Sequence, residues 1–561
     1  MKGRLVGILA LAVALLCACH KDEINISGTK VSSKVSLYGK VTNSLSGKGI
    51  AGVPVTDGYS YCVTDENGVY QLQADSLCRV VYLSLPSGYA VPRSDTLAGK
   101  PVFWKEVNPS EGRTRADFEL LPEAVGDNFS LVMISDPQVK NETQYGMWEK
   151  LIASDIQENV ADFGRCYGFV LGDIVYSASN MYPSMQESLC SFEGNNWTMP
   201  MFGCAGNHDH EAPAEDDYGA TATYVSYWGP TDYSLNRGKT HIVVMDNVMV
   251  TKYYSSSLPN GYAWSYEGGF TDDQVKWLMQ DLETVENPSE TMLIFCTHVP
   301  FRWGAYIGSA SVLINAHYSD VLSLMTDFKE AHIMVGHTHS SQNYIHENYV
   351  CAGGQPIYEH IHGSTDGCHW KSKTSCCFNG TPSGYGVYNI QGNQMSDYYY
   401  RSAGKDDSYQ MRVYDSNQTW KGSKGFSFTW SGGGVATFDG STVEAKGFDL
   451  LTDCFIAEVW GSDDKYWSVE FWQNGEKVGD FEPIPEGYIC NIPFASYYLN
   501  SVGSDVRSVS TTGNDFWVFK APTGNPSAET DWEVRAVQTL PSGTVNTYTR
   551  NSFTTDYSEY K

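Results

Sequence analysis

A chain of 561 residues exceeds one ordinary domain and predicts about three compact units. Apolar residues make up 42% of it, enough to build real cores, which excludes a disordered protein. The formal charge is −28 and no Lys/Arg cluster is present, so no nucleic-acid-binding surface is evident, and an anionic substrate would need positive charge delivered locally, as by metal ions.

At the N-terminus, Lys2 and Arg4 precede an apolar run, Leu5 to Leu16, too short to span a bilayer comfortably and shaped like the h-region of a signal peptide. The run closes in Leu16, Cys17, Ala18 and Cys19, which resembles the lipobox of bacterial lipoproteins. That resemblance implies removal of the signal peptide (1–19), lipidation of Cys19, and anchorage to the bacterial envelope at the outer membrane, periplasmic or surface-facing. An ordinary secreted protein cut nearby is the alternative. His20, Lys21, Asp22 and Glu23 resemble the tags that send some Gram-negative lipoproteins to the cell surface. Of fourteen cysteines, twelve remain once Cys17 and Cys19 are set aside, with no Cys-x-x-Cys pair among them. Export permits disulfides, and Cys368, Cys376 and Cys377 are close enough in sequence for a local bridge; buried free thiols account for them equally well.

After a polar linker (20–33), residues 34–122 read as short strands with regular turns: an alternating run from Val35 to Thr42, a second from Gly49 to Val55, and Thr64 to Leu72, with a tight hairpin turn predicted at Asn67–Gly68. This predicts a small β-sandwich without a catalytic constellation. It resembles the carboxypeptidase-regulatory-like or transthyretin-like domains that precede exported enzymes.

The texture changes over 125–360. Short apolar runs at Phe129–Ser135, Tyr167–Gly172, Thr240–Asp246, Met292–Thr297 and Ala331–Gly336 read as buried strands. Helix-like stretches lie between them at Tyr145–Val160 and Thr271–Glu286, the second opening on a capping box of Thr271 and Gln274. Strands alternating with helices predict an α/β core. From 361 to 561 the pattern is again β-rich, with Gly425–Trp430, Tyr466–Gly475 and Asp531–Val537 predicting a second sandwich.

In the α/β core, polar residues stand at the C-terminal ends of the apolar runs, where open sheets place their ligand crevice. Asp136 and Gln138 follow the first run and Asp173 the second; Gly206, Asn207, His208 and Asp209 follow Met201–Ala205; His298 follows the Met292 run, and His337 and His339 the Ala331 run. Taken in this order, over Phe129 to Gln342, these pieces resemble the calcineurin-like metallophosphoesterase family, and Gly380–Tyr388 with Tyr409–Tyr414 resembles the accessory domain that follows exported members. The fold implied is α/β, a central β-sandwich flanked by helices with small all-β domains before and after it.

The resemblance also implies a site. One divalent ion (Mn, Fe or Zn) would be held by Asp136, Gln138, Asp173 and His339, and a second by Asp173, Asn207, His298 and His337, with Asp173 bridging. Carboxylate, amide and imidazole ligands suit those metals, and such a pair activates a water to hydroxide for attack on phosphorus. His208 would protonate the leaving group or stabilise the phosphoryl oxygens, with Asp209 orienting it.

Two departures stand out: Gln138 occupies a position where the family usually has His, and Asp173 to Tyr176 resembles the Gly-Asp-x-x-Tyr of purple acid phosphatases, where the Tyr binds ferric iron. Arg302 is a candidate phosphate contact. His210, His360, His362, His369 and Trp370 are candidates for the pocket mouth or for ordinary packing. The function implied is exported phosphate-ester hydrolysis. The alternatives are a pyrophosphate-bond hydrolase on nucleotide-type substrates, or a surface glycan-binding protein with a vestigial metal site.

Overall fold

The computed structural model describes residues 24–108, 110, 112–124, 126–177, 179–211, 214–254, 256, 262–304, 307, 309–370, 375–377, 379–421, 427–430, 435–438, 441–444, 451–484, 515–521 and 531–560. The signal-like run, Cys17, Cys19 and the His20–Glu23 tag lie outside them.

Two sheets form the centre of the molecule. Their strands are β1 (Asn128–Ile134), β2 (Cys166–Val170), β3 (Met201–Gly203), β4 (Tyr233–Arg237), β5 (Thr240–Val244), β6 (Met292–Cys296), β7 (Glu330–Val335), β8 (Gln342–Val350), β9 (Pro356–Ile361), β10 (Gly384–Gln391) and β11 (Gln394–Ser402). The first sheet has the order β3-β2-β1-β10-β11 and the second β4-β5-β6-β7-β9-β8. β1, β2 and β3 run parallel, as do β5, β6, β7 and β9, so their C-terminal ends open on one side. Burial on both faces requires the near-continuous apolar runs seen in the sequence: β2, β5, β6 and β7 are buried along their whole length.

The predicted helix after β1 is present as Glu142–Trp148 and Ser154–Asn159, joined through one π-helical turn, Glu149–Ala153. The helix Asp272–Leu282 starts on the predicted capping box of Thr271 and Gln274.

Two details differ from the sequence reading. β10 and β11 lie within the range assigned to the C-terminal domain, yet β10 pairs antiparallel with β1 and β11 with β10, completing the first central sheet. Alternating patterns specify a strand but not which sheet it joins. Likewise Asn67–Gly68 forms a turn, closed by Asp65 accepting from the Asn67 and Val69 amides, but the strands on either side belong to different sheets.

The N-terminal sandwich shares one continuous core with the central sheets. Leu85 pairs with Leu235 on β4, and the Tyr61 hydroxyl donates to Asp281 of the capped helix at 2.9 Å. Among the described residues the C-terminal region holds three four-stranded sheets. Two close, as expected, over Val413, Phe455, Val469, Phe471 and Val534; the third, between 420 and 444, carries residues 427–430 of the predicted strand, whose start at Gly425 lies outside the described residues. Cys368, Cys376 and Cys377 are free thiols, and the described cysteines other than Cys62 are buried.

Candidate metal centre

Each predicted ligand leaves the C-terminal end of a parallel strand by a tight bend. Asp136, Gln138, Asp173, His337 and His339 all take positive φ (45–71°), a conformation that costs a non-glycine residue about 1–3 kcal/mol and is held only where surroundings enforce it. The glycines in these bends permit the close approach. A Cβ on Gly172 would stand 2.3 Å from His298 Nδ1, and one on Gly336 would stand 2.1 Å from Ser135 Oγ. The sequence thus draws seven side chains from five strand ends into one cluster.

Within it, His298 is oriented by the Leu171 carbonyl, 2.8 Å from Nδ1. That contact takes the Nδ1 proton and turns Nε2 toward Asn207 Oδ1 at 3.1 Å, His337 Nδ1 at 3.2 Å and Asp173 Oδ1 at 3.4 Å. On the other side of Asp173, its Oδ2 accepts from Gln138 Nε2 at 2.7 Å, and His339 Nε2 lies 3.0 Å from Gln138 Nε2 and 3.5 Å from Asp136 Oδ1. Asp136 Oδ1 is buried and takes no hydrogen bond, while Oδ2 accepts from the His337 amide and Ser135.

This arrangement fits divalent ions. Ligand atoms about 2.0–2.2 Å from one ion stand roughly 3.0–3.5 Å from each other at angles between square and tetrahedral, which is the spacing measured between these groups. An orphaned carboxylate oxygen and lone-pair atoms facing each other are costly unless positive charge lies among them. The electrostatics agree. Burial lowers the His298 pKa, but Asp173 and Asp136 overcome it and push it up to about 10. Burial and the facing His298 take His337 down to about 3. Burial raises Asp136, despite His339 and His298.

His208 stands at the rim. Its amide donates to Asp173 Oδ1 at 2.7 Å, its Nδ1 lies 3.1 Å from Ser177 Oγ, and its ring stacks on Tyr176 with centroids 4.1 Å apart. Burial lowers its pKa, which Asp173 partly opposes.

Asp209, expected to orient this ring, is used otherwise. Its carboxylate accepts from the Gly206, Ile174 and Val175 amides and from the Tyr182 hydroxyl. It ties the two ligand loops together because the chain reverses directly after His208 and carries the next side chain inward. Tyr176 lies over His208 with the Lys140 ammonium 4.9 Å from its ring.

Arg302 is not brought to the cluster. Its Nε donates to the Tyr318 hydroxyl at 3.0 Å and its guanidinium lies over Tyr318 and Tyr344, because the short strand Arg302–Trp303 turns it toward β8. His360 and His362 are interior rather than at a pocket mouth: His360 packs beside His332, and His362 bridges the Val335 carbonyl and the Tyr388 hydroxyl. His210 is buried against Asp246, 3.0 Å away, with Asp217 at 3.8 Å, and its Nδ1 lies 2.8 Å from the Gly206 carbonyl. His369 and Trp370 do reach the site, through Gln138 Oε1 at 2.9 Å and the Pro137 carbonyl at 2.7 Å. Sequence reasoning missed Asp366, whose oxygens face His339 Nδ1 at 3.3 Å and His369 Nδ1 at 3.4 Å, and Asn247, which accepts from the His298 and Val299 amides. No local pattern marks Asp366, which follows the mixed polar and apolar strand β9.

Two packed central sheets with a cluster of metal-capable side chains at their strand ends define an α/β protein with a candidate metal centre. Three family models match the chain in order: the N terminal of calcineurin-like phosphoesterase over residues 35–123, calcineurin-like phosphoesterase over 129–341, and the C terminal of calcineurin-like phosphoesterase over 359–540. The chain belongs to the calcineurin-like phosphoesterase family, with both of its accessory domains, and is a hydrolase of phosphoric esters. Among solved structures it is similar to a purple acid phosphatase from yellow lupin (Lupinus luteus) seeds, at 12% identity over 76% of this chain and 68% of that one, with a TM-score of 0.31. It is similar also to the NAD nucleotidase of Haemophilus influenzae (8%; 57% and 54%; TM-score 0.26) and to a metallophosphoesterase from Sphaerobacter thermophilus (11%; 49% and 89%; TM-score 0.19). No curated protein matches the chain.

Proposed function

We propose that this chain is an exported phosphoesterase that uses two divalent ions of the Mn, Fe or Zn group and is held to the bacterial envelope through a lipid on Cys19. Asp136, Gln138, Asp173 and His339 would hold one ion; Asp173, Asn207, His298 and His337 would hold the other. The observation that carries this reading is the convergence of these groups on two points: His339 Nε2 beside the buried, unbonded Asp136 Oδ1, and Asn207, His337 and Asp173 around His298 Nε2. When bound, the ions supply positive charge at the phosphoryl oxygens and lower the pKa of an attacking water. The protein does the rest. Asp173 and the Leu171 carbonyl fix His298; Ser177 and Tyr176 hold the His208 ring at the rim, where Nε2 can give a proton to the departing alkoxide. Export rests on the lipobox-like run ending at Cys19. The division into 34–122, 125–360 and 361–561 belongs to the same reading, with β10 and β11 assigned to the central sheet.

The test is a panel of p-nitrophenyl phosphate, bis-p-nitrophenyl phosphate and nucleotide sugars, each with Mn, Zn, Mg or a chelator. Turnover of either p-nitrophenyl ester that the chelator abolishes is the expected result. Turnover of nucleotide sugars alone would move the activity to pyrophosphate bonds. Absence of metal-dependent turnover on every substrate would favour a glycan-binding surface protein. Labelling with a radioactive fatty acid, lost in Cys19→Ala, tests the anchor.

A further inference from the structure

A sixth strand end contributes to the centre. The segment after β9, residues 363–370, lies beyond the stretch matched by the catalytic family model and within the C-terminal one. It is bonded along the bend that carries Asp136 and Gln138. The Thr365 amide and hydroxyl donate to the Ser135 carbonyl, Ser364 Oγ to the Asp136 carbonyl, and Trp370 Nε1 to the Pro137 carbonyl. Within this segment the fully buried Asp366 faces His339 with one oxygen and His369 with the other. His369 Nδ1 is 2.9 Å from Gln138 Oε1, and Gln138 Nε2 is 3.0 Å from His339 Nε2. The four side chains close a ring. His369 and Trp370 adopt positive φ (56° and 54°), the same strained conformation as the ligands themselves.

The chemistry of Gln138 explains why such a ring is needed. A primary amide has two nearly isosteric ends, of which only the oxygen binds a cation, and it is a weaker donor than imidazole. An unrestrained glutamine would divide its time between ends and rotamers. His369 Nδ1 donates to Oε1 here; with the imidazole proton on Nε2 instead, the same Nδ1 accepts from the amide after a half-turn, which presents the oxygen to Asp173 and His339. We propose that His369, supplied by the C-terminal region and held by Asp366, is a positioning residue that fixes the Gln138 amide for the first ion and so offsets the replacement of a histidine there. This rests on the two-ion reading above.

The experiment titrates Mn²⁺ into chelator-treated full-length protein by calorimetry and checks stoichiometry by elemental analysis. Wild type is expected to take up two equivalents. His369→Ala should weaken one of them by about 10–100-fold, the usual range for loss of a group that orients a ligand, and leave the other unchanged. His369→Gln, which retains a side chain able to bond to Gln138, should recover most of that affinity and guards against a folding defect in the alanine variant. In a Gln138→His background the His369→Ala effect should vanish, since imidazole needs no choice of end. Unchanged affinity for both ions in His369→Ala, or an equal loss in the Gln138→His background, overturns the assignment. Fewer than two equivalents in wild type would instead overturn the two-ion reading itself.

Discussion

Asp173→Asn tests the centre most directly, because the two oxygens of Asp173 face the proposed ligands of both ions. Its Oδ1 accepts from the His208 amide at 2.7 Å and faces His298 Nε2 at 3.4 Å, and its Oδ2 accepts from Gln138 at 2.7 Å. Asparagine has the same shape and keeps one acceptor, so packing is preserved while one negative charge is removed. A unit charge acting across 3.4 Å at an effective dielectric near 20 is worth about 5 kcal/mol toward each unit of positive charge. Discounting half for reorganisation leaves roughly 2–3 kcal/mol, or about two decades in affinity for each ion. The expected outcome is loss of at least one metal equivalent on gel filtration in micromolar metal. Turnover should fall by about a hundredfold or more, with a melting temperature within a few degrees of wild type when both proteins are metal-free. Elemental analysis and hydrolysis of bis-p-nitrophenyl phosphate read the two quantities. Retention of both equivalents with activity within about threefold of wild type would refute a bridging role for this carboxylate.

Other groups give further checks. His208→Ala should lower turnover at least about a hundredfold while metal content stays the same; retained activity removes it from the proton transfer. Tyr176 lies flat against His208, so iron-loaded protein should show no visible tyrosinate band, and a band that disappears in Tyr176→Phe would make it a ligand instead. A pH effect is expected from His210. Burial lowers its pKa, but Asp246 and Asp217, the carboxylates facing it, raise it from 6.5 to about 9. A raised base stabilises fully below its unfolded pKa, so this contribution is present below about pH 6.5 and lost as pH rises through about 9. The neighbouring Asp217, raised to about 6 chiefly by burial, is largely ionised across that window, whereas Asp232, raised to about 7 chiefly by burial, titrates at its lower end, so the fall between about pH 8 and 10 carries the test. Thermal melts of metal-loaded protein from pH 7 to 10 should fall more steeply for wild type than for His210→Asn, and parallel curves would contradict the pairing.

What the sequence made legible was whatever depends on strand ends. A buried parallel strand is a contiguous apolar run, and the residue two to four places beyond it must face the crevice whatever the rest of the chain does; Asp136, Asp173, Asn207, His298 and His337 were found that way. What was not legible depends on direction after a bend. Arg302 is four residues past His298, but the turn at Phe301 carries its guanidinium to Tyr318 and Tyr344. Asp209 adjoins His208 in sequence and points the opposite way, into the backbone amides of two loops. His360 resembled a site residue by type, but it lies on β9 and its ring is packed among His332 and Tyr358. Asp366 carried no signature at all, because its role is set by β9 lying beside β7 in the sheet, a pairing that no local pattern encodes.

That pairing changes what the C-terminal part of the chain is. β9 brings the 363–370 segment to the ligands, β10 and β11 complete the sheet that carries Asp136 and Asp173, and Asn343 and Tyr358 on β8 and β9 bond to Asp463 of the C-terminal sandwich. The same covalent stretch therefore bonds to a candidate ligand, closes a core and docks an accessory domain. A domain joined only at a surface could be lost with its own stability alone; one that shares strands with the catalytic sheets cannot be removed without exposing Leu131, Val132 and Met133 along β1, all fully buried. The N-terminal sandwich is coupled through the same continuous core. The cluster of candidate ligands is braced from both sides, which is the condition a set of strained, left-handed residues requires.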